Sequence, residues 1–246
     1  MNKKVVLITG ASSGIGASTA EVFASNGYDV IINYANNKEN ALKEKELVEN
    51  KYNVECTIIK ADISNEEEVN KMYKEVTSKY DHIDALINNA GICKDTLLED
   101  KTKEDFMRIL EVNVYGTFYM SKLFGKLMFD RKQGSIVNVA STNAIDSYYV
   151  FSLEYDASKA AIINLNHNLA NYFAPYVRVN AVCPGWVNTR MNKELSEEFK
   201  KEEINKTLLH RFAEPEEIAA LIYFLCTDNA SYINDSIIKI DGGRKC

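Results

Sequence analysis

The sequence predicts an α/β fold: a single doubly wound domain on a mainly parallel, seven-stranded sheet. Three observations lead there. Short β-branched runs alternate with helix-length segments of mixed polar and apolar residues, the pattern of successive βαβ units. Several of those runs are apolar without strict alternation, as strands are when helices cover both faces of a sheet. Glycines gather at the strand-to-helix turns, and with three prolines in 246 residues no linker or repeat interrupts the chain.

In chain order, strands are expected at Val5–Thr9, Val30–Asn33, Cys56–Lys60, Ala85–Asn88, Ser135–Ala140, Arg178–Val182 and Ile237–Ile240. Helices are expected near 14–26, 38–52, 66–79, 102–130, 155–173 and 215–227. The last begins well: Pro215 has the φ of a first helical turn, and Glu216 and Glu217 sit near the positive end of the dipole. Residues about 186–213 form an acidic, lysine-rich excursion after the sixth strand. So long a connection beside the strand ends reads as a substrate lid, or else as a plain surface hairpin of helices.

Composition narrows the functional classes. The chain is 46% hydrophobic and 26% charged with a net charge of −6, ordinary for a globular protein. Its lysines alternate with glutamates, as in Lys43-Glu44-Lys45-Glu46, which describes solvated helix faces and no nucleic-acid patch. The apolar run Val5–Ile8 is too short for a signal core or a membrane span, so a cytoplasmic location without a membrane partner is expected. Five cysteines, at 56, 93, 183, 226 and 246, form no CxxC pair and read as free thiols. Histidines at 82, 167 and 210 show no metal-ligand spacing, and no metal is expected.

The first strand runs into Thr9-Gly10-Ala11-Ser12-Ser13-Gly14-Ile15-Gly16, which opens the first helix. Glycines there allow a tight turn and close backbone approach to a pyrophosphate, while the helix N-terminus presents amide groups to it. Strand before and helix after make this a Rossmann-type dinucleotide site. A second pattern, Tyr155-Asp156-Ala157-Ser158-Lys159, sets a phenol and an ammonium on one helix face. A nearby ammonium favours phenolate, lowering the tyrosine pKa and making Tyr155 a candidate acid or base. Taken alone, that spacing equally describes an ordinary amphipathic helix.

Together with Asn88-Asn89-Ala90-Gly91, Asn113, Ser141, Pro184-Gly185 and Asp241-Gly242-Gly243, these motifs resemble the short-chain dehydrogenase/reductases, in order and over essentially the whole chain. Within that family, Arg211–Ala219 and Val179–Gly185 look most like the bacterial 3-oxoacyl-[acyl-carrier-protein] reductases of fatty acid synthesis. The resemblance implies an NAD(P)-dependent enzyme interconverting a ketone and a secondary alcohol. Tyr155 would give the proton to the carbonyl oxygen, Lys159 would lower the phenol pKa and bind the nicotinamide ribose, Ser141 would hydrogen-bond the reacting oxygen, and Asn113 would support a relay water. It also implies cofactor contacts at Gly10, Ser12, Ser13, Ile15, Asn33, Asp62, Ile63, Asn89, Ala90, Gly91, Pro184, Gly185, Val187 and Thr189, besides Tyr155 and Lys159.

On the residues themselves, Asp62 serves either the adenine amino group or the helix near 66, and Asn113 is either catalytic or a packing amide. The end of the second strand, Asn33-Tyr34-Ala35, carries no acid to repel a 2′-phosphate, which favours NADP(H) and leaves NAD(H) possible. Family likeness further implies a homo-oligomer, tetramer or dimer. Departures concern the substrate. Ile145–Glu154 is bulkier and more aromatic than in the acyl-carrier reductases. Of the basic residues that would dock an acidic carrier, Arg131 and Lys132 are present, but Ala174-Pro175-Tyr176 lacks one. Asn234-Asp235-Ser236 replaces a glycine turn, so Asn234 or Asp235 must take a positive φ. A small ketone, a sugar or a sterol therefore stands beside a carrier-linked 3-oxoacyl group as substrate, and a catalytically inactive nucleotide-binding regulator is a more remote alternative.

Overall fold

A computed structural model describes residues 3–189, 192 and 195–244. Its sheet has seven strands, all parallel, in the order β3-β2-β1-β4-β5-β6-β7. These are β1 Val5–Ile8, β2 Asp29–Tyr34, β3 Cys56–Lys60, β4 Ala85–Asn88, β5 Gly134–Val139, β6 Val177–Pro184 and β7 Ile237–Ile240. The strand order reverses between β1 and β4, and open α/β sheets place their ligands at the carboxyl ends of such a switch point. Residues of one strand face two different cores. Val6 and Ile8 pack under α1 (Gly14–Ser25), α2 (Lys38–Tyr52) and the helix Pro215–Cys226. Val5 and Leu7 pack with α3 (Glu66–Lys79), the segments after β4 and the helix Leu153–Phe173. Burial on both faces explains why these strands read as unbroken apolar runs.

The helix expected at 102–130 is interrupted. It consists of α4 Lys103–Leu110, α5 Thr117–Met120 and α6 Lys126–Arg131, joined by π-helical turns at Glu111–Gly116 and Ser121–Gly125. Close packing sets where it gives way. A Cβ on Gly116 would stand 2.6 Å from Ile63, and one on Gly125 would stand 2.6 Å from the Phe173 ring. The Thr117 and Ser121 hydroxyls also donate to carbonyls four residues back, at 2.8 Å each, and such back-bonding loosens a helix. After it come α7 Leu153–Phe173, α8 Glu197–Asn205 and α9 Pro215–Cys226.

The excursion at 186–213 is tied at its root. Ala213 donates to the Trp186 carbonyl at 2.9 Å and Asn188 to the Ala213 carbonyl at 2.8 Å. Positions 190, 191, 193 and 194 of the expected lid lie outside the described residues, as does Cys246. The four described cysteines are free thiols. In the turn before β7, Asp235 takes the left-handed conformation at φ 57°, and the Asn234 carboxamide accepts from Val179 N at 2.8 Å. An aspartate tolerates that φ better than a branched residue, so the turn forms without glycine.

Candidate active site

Two chain turns dovetail at the carboxyl ends of β1 and β4. Gly10 and Gly14 have φ of 64° and 58°, and a Cβ on Gly10 would lie 2.9 Å from Ala90 Cα. Thr9 Oγ1 accepts from the amides of Asn89 and Ala90, both at 3.0 Å, while Asn89 Nδ2 donates to the carbonyls of Thr9 and Gly10. Asn88 reaches sideways instead, to Ser121 and Asn138, holding the sheet centre. The N-cap Ser13 makes no side-chain bond to its helix and the first turn of α1 holds no acid, so its amides remain available to an anion.

A groove of about 410 Å³ follows these turns across the strand ends. Every residue expected to contact the cofactor lines it, from Gly10 and Ser13 through Asp62 and Gly91 to Pro184 and Thr189. The cradle therefore fits a dinucleotide: glycines where side chains would clash, open helix amides, and a long polar trough. Two of these residues also bond within the protein. Asn33 is buried, accepting from Gly10 N at 3.4 Å and donating to the Ala61 carbonyl at 2.9 Å, so it props the glycine turn. Asp62 does not cap α3, whose cap is Asn65. It accepts from Ser64 and pairs with Arg108 at 2.6 Å. Burial pushes its pKa up, but the Ser64 hydrogen bonds and the Arg108 guanidinium prevail and hold it below the usual value. Arg108, which also lines the groove, was missed from the sequence; only the fold brings α4 over the end of β3.

At the far end of the groove stand Ser141, Tyr155 and Lys159. Ser141 follows β5 and caps a short turn, its Oγ accepting from Asn143 N at 3.2 Å. Lys159 Nζ lies 5.5 Å from the centre of the Tyr155 ring and donates to the Val139 carbonyl at 2.7 Å. Asn113 is close by, since a Cβ on Gly91 would sit 3.4 Å from both Asn113 Oδ1 and Lys159 Nζ. The Asn113 carboxamide bonds both the amide and carbonyl of Ile92 and the Ser158 hydroxyl. Those bonds seat Ser158, between the tyrosine and the lysine, against the loop after β4.

The electrostatics differ from the simple pair the spacing suggested. Part of the Tyr155 surface opens on the groove, yet desolvation pushes its pKa above the usual phenol value, with the Ser141 hydroxyl acting in the opposite direction. Burial pushes Lys159 down to about 8. The expected lowering of the tyrosine therefore does not dominate: burial shifts both groups toward their neutral forms, although Lys159 remains an ammonium below about pH 8.

A second cavity of about 260 Å³ adjoins the same Ser141 and Tyr155. Its walls include Cys93 and Asp95 from the loop after β4, Asn143 and Tyr149 from the loop after β5, Trp186 beyond β6, and Arg244. Tyr149 meets Trp186 and Phe199 with ring centres 6.3 and 5.8 Å apart, so the aromatic run before Tyr155 packs against the excursion at 186–213. Of these residues, the sequence pointed only to the aromatic run and the excursion. Among the described residues, no group of three His, Cys, Asp or Glu is placed to hold a metal ion. No described helix is long and apolar enough to cross a membrane.

A family model described as enoyl-(acyl carrier protein) reductase matches residues 10–245. The 3-oxoacyl-[acyl-carrier-protein] reductase FabG of Aquifex aeolicus is 38% identical over 241 residues, covering 98% of this chain and 96% of the relative. That of Thermotoga maritima is 37% identical over 243 residues, covering 98% and 97%. The chain belongs to the short-chain dehydrogenase/reductase family. It is an oxidoreductase acting between CH–OH and C=O groups, and its cofactor is a nicotinamide dinucleotide. Solved structures of the family superpose closely. Levodione reductase has a TM-score of 0.92 at 31% identity, covering 97% of this chain and 96% of its own. The L-sorbose reductase of Gluconobacter frateurii, solved with NADPH and L-sorbose, has a TM-score of 0.91 at 26% identity, covering 99% and 97%.

Proposed function

We propose that this short-chain dehydrogenase/reductase is an NADPH-dependent 3-oxoacyl-[acyl-carrier-protein] reductase, cytoplasmic and homo-oligomeric. The observation that carries the reading is the meeting of Tyr155, Ser141 and Lys159 where the groove and the second cavity join. When bound, the cofactor supplies a hydride to the ketone carbon. Tyr155, held as a phenol by burial, donates its proton to the ketone oxygen. The Ser141 hydroxyl donates a hydrogen bond to that oxygen and steadies the charge building there. Lys159, anchored by the Val139 carbonyl, offers its remaining donors to the nicotinamide ribose. Asn113 and Gly91 keep the space around the ammonium small.

NADPH over NADH is supported by the end of β2, where Ala35, Asn36 and Asn37 line the groove without an acid. The carrier-linked substrate rests on the relatives' names. A homo-oligomer is supported by Phe118 on α5 and Tyr172 on α7, 39% and 68% exposed, large apolar side chains of the kind subunit contacts cover. The excursion at 186–213 serves as a substrate lid, since Trp186 walls the ketone cavity and Tyr149 holds it. A different ketone as substrate is favoured by one observation: the cavity walls carry polar side chains such as Asp95, Asn143 and Arg244, unlike a channel for a long alkyl chain. The deciding assay is reduction of acetoacetyl thioesters against unrelated ketones with each cofactor. Absence of thioester turnover would remove the carrier-linked reading.

A further inference from the structure

Among the described residues, two charged side chains line the cavity beside Ser141 and Tyr155: Asp95 and Arg244. Arg244 follows the Gly242–Gly243 turn, which is fastened to the lid where the Leu208 and Leu209 amides donate to the Gly243 and Gly242 carbonyls. Its Nη1 donates to Glu203 Oε2. Glu203 is buried and already well supplied, since Oε2 also accepts from Trp186 Nε1 at 2.7 Å and Oε1 pairs with Lys206 at 2.7 Å. The carboxylate thus fixes the guanidinium without exhausting it. Among the described residues no other hydrogen-bond partner meets the fork, and the side chain is only 21% exposed. An arginine carries five N–H donors in a rigid plane. A mostly covered fork with uncommitted donors on a pocket wall is costly unless a substrate oxygen accepts from it.

The charge balance selects the acceptor. With Asp95 in the same wall, the described lining carries one negative and one positive group. A free carboxylate would gain the arginine but be repelled by the aspartate, whereas a carbonyl oxygen takes the hydrogen bond without that opposition. The cavity holds about 260 Å³, so the acceptor lies within a few bonds of the ketone that Tyr155 and Ser141 hold. We propose that Arg244 is a specificity-determining residue that hydrogen-bonds a second, uncharged carbonyl oxygen of the substrate. The enzyme therefore prefers 3-oxo esters and thioesters to simple ketones and to free 3-oxo acids. The assignment rests on the ketone-reductase reading above and sharpens its substrate class.

The test compares wild type with R244M, which keeps an unbranched stem and removes the donors. Ethyl acetoacetate, acetoacetate and 2-pentanone are reduced under saturating NADPH. Wild type should favour ethyl acetoacetate. In R244M the ratio of kcat/KM for ethyl acetoacetate over 2-pentanone should fall about tenfold or more, through KM rather than kcat. R244K should recover part of the ratio, with NADPH affinity and melting temperature close to wild type. An equal effect on all three ketones, or none on the ester, overturns the assignment. Wild type that reduces ethyl acetoacetate but no acetoacetyl thioester removes the carrier-linked function and leaves Arg244 standing. Wild type that reduces 2-pentanone and neither ester overturns both.

Discussion

Cofactor binding should lose strength above about pH 8, and Lys159 should be the reason. Its ammonium is buried and pushed down to about 8, with one donor spent on the Val139 carbonyl at 2.7 Å. The protonated form has two further donors for the nicotinamide ribose; the neutral amine has one. If the complex requires the ammonium, binding takes up one proton whenever the free enzyme has already lost it. The sign follows: affinity is complete below the free-enzyme pKa and declines as pH rises through it. One pH unit above, the dissociation constant should be about tenfold larger, or about 1.4 kcal/mol. The assay is calorimetric titration of NADPH across that range in buffers of differing ionisation heat, so that proton uptake is counted directly. K159M should bind more weakly, with the alkaline loss abolished and no proton taken up. The same alkaline slope in K159M, or a flat profile in wild type, would refute the reasoning. The result also bears on turnover: since burial keeps Tyr155 a phenol, the alkaline limb of ketone reduction belongs to Lys159.

Replacing Tyr155 by Phe should lower kcat by roughly a hundredfold to ten-thousandfold while leaving NADPH affinity within about twofold; an unchanged reduction rate would remove the proton-donor role. NADPH should bind more tightly than NADH, and A35D should cut that preference by about tenfold or more, because a carboxylate at the end of β2 would meet the 2′-phosphate. Equal titrations with both cofactors in wild type would contradict this. G10A should lower the melting temperature and weaken both cofactors together. Its Cβ would approach Ala90 Cα to 2.9 Å at a φ of 64°, so undisturbed binding would mean the two turns are looser than they stand here.

The sheet was legible from its short apolar runs: β1, β2 and β4 are buried along their whole length, and β3, β4 and β7 begin and end at the expected residues. β6 runs longer than its apolar signal, Val177–Pro184 against Arg178–Val182, because it is paired on both edges, to β5 and β7. The π-helical turns at 111–116 and 121–125 could not be read, since their cause is the approach of Ile63 and Phe173 from distant elements. The site divides in the same way. Backbone-facing requirements leave a trace in sequence, so Gly10 and Gly14 announced the groove. Arg108 and Arg244 left none, because an arginine near a helix or at a chain end is ordinary until the fold sets it on a pocket wall.

The residues flanking Tyr155 explain how one helix serves both reaction and substrate. Glu154, on one side, is buried and stands 2.6 Å from Lys101 Nζ, paired by charge and distance though not aligned as a hydrogen bond. That pair fastens α7 to the loop after β4, the source of Cys93 and Asp95. Asp156, on the other side, accepts from Asn143 Nδ2 at 2.6 Å, Tyr149 N at 3.1 Å and Ser152 Oγ at 3.2 Å. It fastens the loop after β5, the source of Asn143 and Tyr149. Neighbouring helical side chains diverge, so neither acid competes with the phenol for its own place. Tyr155 thereby sits between two independent anchors, one for each wall of the second cavity. A change of substrate can proceed through Tyr149, Trp186 or Arg244 while Tyr155 and Lys159 stay where the helix and the Val139 carbonyl hold them.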